Sequence, residues 1–170
     1  MYWIRFFLLS LFVFVPIACN AERSLYNKGL EEEQQGRFSE AIYYYELSLK
    51  ENSEFIDSHR RIGSLLAKHP ESWGVAIWHL EKALAQSPKD KNLRLELSLL
   101  YLANEKWMDF EKQLSFWNTN GEKDFFLGLS ALYNCETKTT KLQSFSDTVR
   151  SMEFIPEFWK SRCQNKTSNN

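Results

Sequence analysis

The chain has 170 residues, 44% hydrophobic and 25% charged, with 21 Lys and Arg against 22 Asp and Glu for a net charge of -1. That length holds one domain with its own core or a short repeat array, and the lack of a basic excess argues against a nucleic-acid-binding protein. Six glycines and four prolines are too few for a β-sandwich of many tight turns or a disordered linker. Aromatics are the surplus, 26 residues (6 Trp, 7 Tyr, 13 Phe), and six of them fall in the first eighteen positions.

Residues 1–21 are expected to be an export region. Met1 to Arg5 carries one positive charge, and Phe6 to Ile17 is nearly all apolar, broken by Ser10 and by Pro16. Small residues come next at Ala18, Cys19 and Ala21. A charged start, an apolar stretch of about 7–15 residues and small residues at the cut site form a secretory signal. The run is short for a spanning helix, which needs about 20 apolar residues. An uncleaved anchor and a buried core helix are the alternatives. Pro16-Ile17-Ala18-Cys19 resembles a bacterial lipobox, and that resemblance implies acyl chains on Cys19 that anchor the protein without a spanning helix. Cleavage after Ala21 is the competing outcome.

A regular period organises the chain beyond this region. Gly29 and Gly63 are 34 residues apart and Ser98 lies 35 further on, while Ala41 and Ala76 are separated by 35. Tyr45, Leu80 and Leu114 recur at the same interval, as do Ser48, Ala83 and Trp117. Several residue types sharing one interval signal stacked supersecondary units. Within each unit the apolar spacing is helical: Ile42, Tyr45 and Leu49 in the first, Ile77, Leu80 and Leu84 in the second. Gly36-Arg37-Phe38-Ser39 divides the first unit into two helices, with Ser39 the expected N-cap of the second. Pro70, Ser72 and Gly74 divide the second unit, and Pro88 ends it.

These residues resemble the tetratricopeptide repeat family, whose unit is a pair of antiparallel helices in about 34 residues. Leu25, Gly29, Gly36, Phe38, Ala41 and Tyr45 match in the first repeat, and Ile62, Gly63, Leu66, Ala76, Leu80, Ala83 and Pro88 in the second. The third keeps Leu97, Ser98, Tyr101, Trp107 and Leu114, and a degenerate fourth has Leu127, Gly128 and Ala131. The resemblance implies an all-α fold, a right-handed α-solenoid of antiparallel helix pairs. It would comprise about 3.5–4 repeats, over residues 22–55, 56–90, 91–120 and 121–151. Phe110 and Trp117 stand where the family has alanine, so the third pair is expected to pack more widely. Gly29 and Gly63 cost about 1 kcal/mol each in a helix interior, and close helix approach is the expected compensation.

Residues 152–170 form the expected cap and a frayed end, because Phe154-Ile155-Pro156-Glu157-Phe158-Trp159 is too apolar for a solvated tail. A docking segment for a partner is the alternative. Cys135 and Cys163 form an even pair in an exported chain and are candidates for a disulfide, two separate thiols being the alternative. His59, His69 and His79 are ten residues apart, not a helical ligand interval, with His59 and His79 expected on different helices and His69 at a turn. No phosphate loop, CxxC pair or Ser-His-Asp order is present, so no catalytic residue, metal or cofactor is expected.

The family resemblance implies a concave groove lined by the first helix of each repeat, which holds a peptide or helix. Carried over by position, the groove presents Arg23, Tyr26, Asn27 and Leu30, then Arg60, Arg61 and Ser64, then Leu95, Glu96 and Leu99, and last Phe125, Phe126 and Leu129. The carboxylate clamp of co-chaperone members is replaced by Tyr26, Leu30, Arg61, Asn92 and Glu96, so capture of a C-terminal carboxylate is not expected. The expected occupant is amphipathic, acidic at one end and apolar at the other. The expectation is a non-catalytic adaptor of the bacterial cell envelope, membrane-anchored or periplasmic, binding a protein and no nucleic acid. The alternatives are a homo-oligomeric structural subunit joined through Trp107, Trp117 and the tail, and an enzyme.

Overall fold

A computed structural model describes residues 20–119 and 123–135 of the chain. They form seven α-helices and no strand: α1 (Ala21–Gln34), α2 (Phe38–Glu51), α3 (Ile56–Leu66), α4 (Trp73–Gln86), α5 (Lys91–Ala103), α6 (Trp107–Thr119) and α7 (Lys123–Asn134), with a short 3₁₀ turn at Pro70–Ser72 before α4. The all-α architecture expected from the apolar periodicity is therefore present. The signal region up to Cys19, the aromatic stretch 154–159 and Cys163 lie outside the described residues. Among the described residues no helix is long and apolar enough to cross a membrane.

Turn chemistry explains where the helices stop. At the end of α1 the Gly36 N–H donates to the Glu33 carbonyl and the Arg37 N–H to the Glu32 carbonyl, both at 2.9 Å. This Schellman closure requires a left-handed residue, and Gly36 supplies it at φ 74°. Phe38 then opens α2, with Arg37 at the N-cap position and no side-chain cap. Ser39 is therefore inside the first turn and does not cap the helix, because the closure of α1 sets the chain back into helix two residues earlier. The same closure recurs after α5, where the Lys106 N–H donates to the Tyr101 carbonyl at 2.9 Å and Glu105 takes φ 55°. A non-glycine residue is strained there. Glu105→Gly is accordingly expected to raise stability by about 1 kcal/mol, read as a higher denaturant midpoint at unchanged slope. Asp90 caps α5 directly, its Oδ1 accepting from the Leu93 N–H at 3.0 Å.

Consecutive helices pack side by side, most extensively α1 on α2 and α3 on α4. The α3–α4 pair is antiparallel, since His59 meets His79, Gly63 meets Ala76 and Leu80, and the Trp73 indole N–H donates to the Ala67 carbonyl at 2.9 Å. Gly63 lies against Leu80 just as Gly29 lies against the Tyr45 ring one helix pair earlier. These glycines carry no Cβ because buried side chains occupy the space it would fill. The α5–α6 contact is less extensive, and the fully buried Phe110 and Trp117 fill the wider gap. One core cluster gathers Ala41, Tyr45, Ile62 and Leu65, and a larger one runs from Ala67 through α4, α5 and α6 to Leu129.

Candidate interaction surface and buried polar contacts

The first helices of the expected repeats carry the candidate surface, and they do so unequally. On α1, Arg23 and Asn27 are exposed and Tyr26 and Leu30 half-buried; on α3, Arg61 is exposed and Arg60 and Ser64 half-buried. At the corresponding positions of α5, Leu95 and Leu99 are 0% and 1% exposed, and Leu129 on α7 is 0% exposed. All three belong to the larger core cluster. They are core residues, not an open groove wall, and this corrects their assignment to the binding surface. The physical reason is the composition of α5: leucines at 93, 97 and 100 face one way and those at 95, 99 and 102 another, so the helix has apolar residues on two sides and both are buried. Phe125 and Phe126 fall within α7, but their side chains lie outside the described residues.

The basic residues of the surface are already engaged. Arg23 donates to Asp57 at 2.9 Å, and its guanidinium lies 4.8 Å from the centre of the Phe55 ring and 5.6 Å from that of Tyr26. Arg60 donates to Asp90 at 2.7 Å. Arg61 reaches Glu33 at 3.3 Å. The Tyr26 side chain first, and then the Glu33 carboxylate against the opposing effect of burial, raise the Arg61 pKa. Glu33 also accepts from the Tyr45 hydroxyl at 2.6 Å, and burial followed by this carboxylate pushes the Tyr45 phenol far above its ordinary range. Tyr26 packs against Tyr45 and Phe55 with ring centres 5.4 and 5.6 Å away. The pairing of Arg23, Arg60 and Arg61 with Asp57, Asp90 and Glu33 neutralises the basic end expected for an acidic partner segment. Glu96 is the exception: burial raises its carboxyl, Asp90 adds to this, and the Ser64 hydroxyl and the Arg60 charge only partly oppose it.

A second polar constellation lies between α3 and α4. The Nδ1 atoms of His59 and His79 are 2.9 Å apart, and the Nε2 of His59 is 2.9 Å from the Ser53 carbonyl oxygen in the turn after α2. The carbonyl can only accept, so His59 carries its proton on Nε2. His79 then donates its Nδ1–H to the bare Nδ1 of His59. Trp78 meets both rings edge-on, with centres 5.5 Å from His59 and 4.8 Å from His79. Next to the pair, the buried Ser58 hydroxyl donates to Ser48 at 2.9 Å and ties α3 to α2. Spacing in the sequence hides this pair, because twenty residues is no helical interval. An antiparallel hairpin sets the two histidines opposite each other.

Among the described residues no group of three or more His, Cys, Asp or Glu could hold a metal ion. Trp117, expected as part of a self-association face, is fully buried and unavailable to a second copy; Trp107 is half-buried against Tyr133 with ring centres 5.8 Å apart. Cys135 follows α7 at φ 60° and is disulfide-bonded, while the other two cysteines, Cys19 and Cys163, lie outside the described residues. No protein-family model, curated protein or solved structure matches the chain.

Proposed function

We propose that the chain is a non-catalytic protein–protein interaction adaptor, a tetratricopeptide-like solenoid of about 3.5–4 helix pairs exported to the bacterial cell envelope and held there through Cys19. It takes a peptide or helix of a partner protein along the face shared by α1 and α3. The observation that carries this proposal is the contrast along equivalent positions. Tyr26, Asn27, Leu30, Arg61 and Ser64 stay partly or fully exposed, whereas Leu95 and Leu99 on α5 are buried. The accessible surface mixes an aromatic ring, an amide, a hydroxyl and a guanidinium, a set suited to hydrogen bonding with a partner's backbone and side chains. Because Arg61 is held by Glu33 at only 3.3 Å and is exposed, a partner carboxylate can take over that contact. The apolar end of the occupant expected from Leu95 and Leu99 loses its support.

A photoreactive residue placed at Asn27 is expected to crosslink the partner in envelope preparations, and one at Met108, exposed on α6, is not. Arg61→Glu in the Asn27-labelled chain is expected to cut the crosslink about tenfold, the effect of losing about 1.4 kcal/mol of binding. An unchanged yield in that variant, or equal crosslinking from both positions, would place the partner elsewhere.

A further inference from the structure

We propose that the His59–His79 pair is an acid-sensitive latch: in its neutral form it fastens α4 to the turn between α2 and α3, and protonation of the pair unlocks that turn. The geometry is a chain of two hydrogen bonds, His79 Nδ1–H to His59 Nδ1 and His59 Nε2–H to the Ser53 carbonyl, each 2.9 Å. It runs from α4 through α3 to the turn at 52–55. A second tie reaches the same turn from α4, where the Gln86 amide donates to the Glu54 backbone carbonyl at 2.8 Å and to its carboxylate at 3.2 Å. Two polar contacts therefore tie α4 to this turn, beside the Ser58–Ser48 bond and the apolar packing between α2 and α3. Of the two, only the histidine contact is built from imidazoles, the side chains suited to sensing mild acid.

Neither histidine can accept a proton without cost. His59 and His79 are 2% and 8% exposed, and Trp78 covers both rings. A proton on Nδ1 of His59 would set two N–H donors face to face and break the bond. A proton on Nε2 of His79 keeps the bond but places a cation in a desolvated site. The charged neighbours offer no relief. Glu54 in the turn is engaged by Gln86, Asp57 on α3 by Arg23, and Asp90 ahead of α5 by Arg60, while Lys82 on α4 lies over the Trp78 ring at 5.8 Å. On α2, Lys50 and Glu51 are exposed at its C-terminal end, and Glu71 in the 3₁₀ turn pairs with His69 at 3.6 Å. Among the described residues no carboxylate accepts from either imidazole.

Burial first, and the charge of His59 second, push His79 from 6.5 down to about 4. The unfolded or locally opened chain therefore binds the extra proton between those values while the closed form does not. The latch holds fully above about pH 6.5 and weakens as the pH falls toward about 4.

The test uses the full chain and nitrogen-15 NMR of its imidazoles. His79 is expected to stay neutral, with its proton on Nδ1, at pH values where a free imidazole, of pKa about 6.5, is already charged. Titration of His79 at the free-imidazole value would overturn the proposal. Amide hydrogen exchange at residues 53–56, corrected for intrinsic chemistry, is expected to accelerate ~60-fold from about pH 7 to about pH 4.5, as opening is linked to proton uptake. His79→Gln keeps a donor toward His59 without a titrating ring, and His59→Gln keeps both a donor and an acceptor. In His79→Gln the pH-dependent acceleration should vanish, and its persistence in that folded variant would also overturn the latch. In His59→Gln, where His79 stays buried but loses its charged neighbour, the acceleration should shrink. The imidazole titration of the unsubstituted chain decides the matter even where neither variant folds.

Discussion

Trp117→Ala is expected to lower the unfolding free energy by about 3–5 kcal/mol, the range for truncating a fully buried aromatic side chain. Trp117 is 0% exposed, in the last turn of α6. Its indole N–H lies 3.4 Å from the Ser98 hydroxyl on α5, which itself donates to the Arg94 carbonyl at 2.7 Å. Removing the indole leaves a large cavity between α5 and α6 and takes a donor from Ser98. It also removes the edge-on contact with Phe116, ring centres 5.5 Å apart. A chain of this size has a total stability of about 5–15 kcal/mol, so the loss is about a fifth of it or more. Equilibrium unfolding in urea would show the midpoint fall with the slope preserved. A loss below about 1 kcal/mol would mean that Trp117 is not enclosed by the α5–α6 contact.

The second large effect is expected from Gly63→Val, about 3 kcal/mol of destabilisation. A Cβ at Gly63 would sit 2.6 and 2.7 Å from two atoms of Leu80 and 3.2 Å from the Ala76 carbonyl oxygen. Leu80 is fully buried, and the Ala76 carbonyl belongs to the backbone of α4. Neither can retreat without parting α3 from α4. Overpacking of this kind costs about 1–3 kcal/mol, and a β-branched side chain recovers little of the helix propensity that glycine forgoes. Gly74→Ala is the control with opposite sign. Nothing lies within 4 Å of a Cβ at that exposed position on α4, so the substitution is expected to stabilise by about 0.5 kcal/mol through the unfolded chain. Thermal unfolding of the two variants side by side separates close helix packing from simple propensity. Destabilisation by both substitutions would refute the distinction.

The Gly63 contact was legible from spacing because it obeys a local rule. A glycine in a helix interior is unfavourable unless something occupies the place of its side chain, and Gly29 and Gly63 recur with Tyr45 and Leu80 at matching intervals. The wider third contact was equally legible, since Phe110 and Trp117 cannot fit where Ala76 and Ala83 do. The candidate surface was only half legible. Position within the helix pair put Tyr26, Asn27, Leu30, Arg61 and Ser64 on the expected surface, where the fold leaves them half-buried or exposed, but applying the same positions to α5 put the buried Leu95 and Leu99 there too. Their own neighbours carried the contrary signal, leucines on two sides of one helix, more than a single buried face requires.

The amino-acid sequence by itself determined the helices, their breaks at Gly36, Pro70 and Pro88, and the small residues where they cross. All of these arise from interactions within a few residues or from a repeating interval. Only the tertiary structure decided which charges pair and which histidines meet. Arg60 with Asp90, Arg61 with Glu33 and His59 with His79 lie on different elements, 30, 28 and 20 residues apart. A side-chain contact at such separation is set by the rotation and offset of one helix against the next, and packing of the whole core fixes both. The surplus of aromatics obeys the same division: its presence is a property of the composition, but its role in filling the α5–α6 gap, capping the histidine pair and backing Arg23 and Arg61 exists only in the fold.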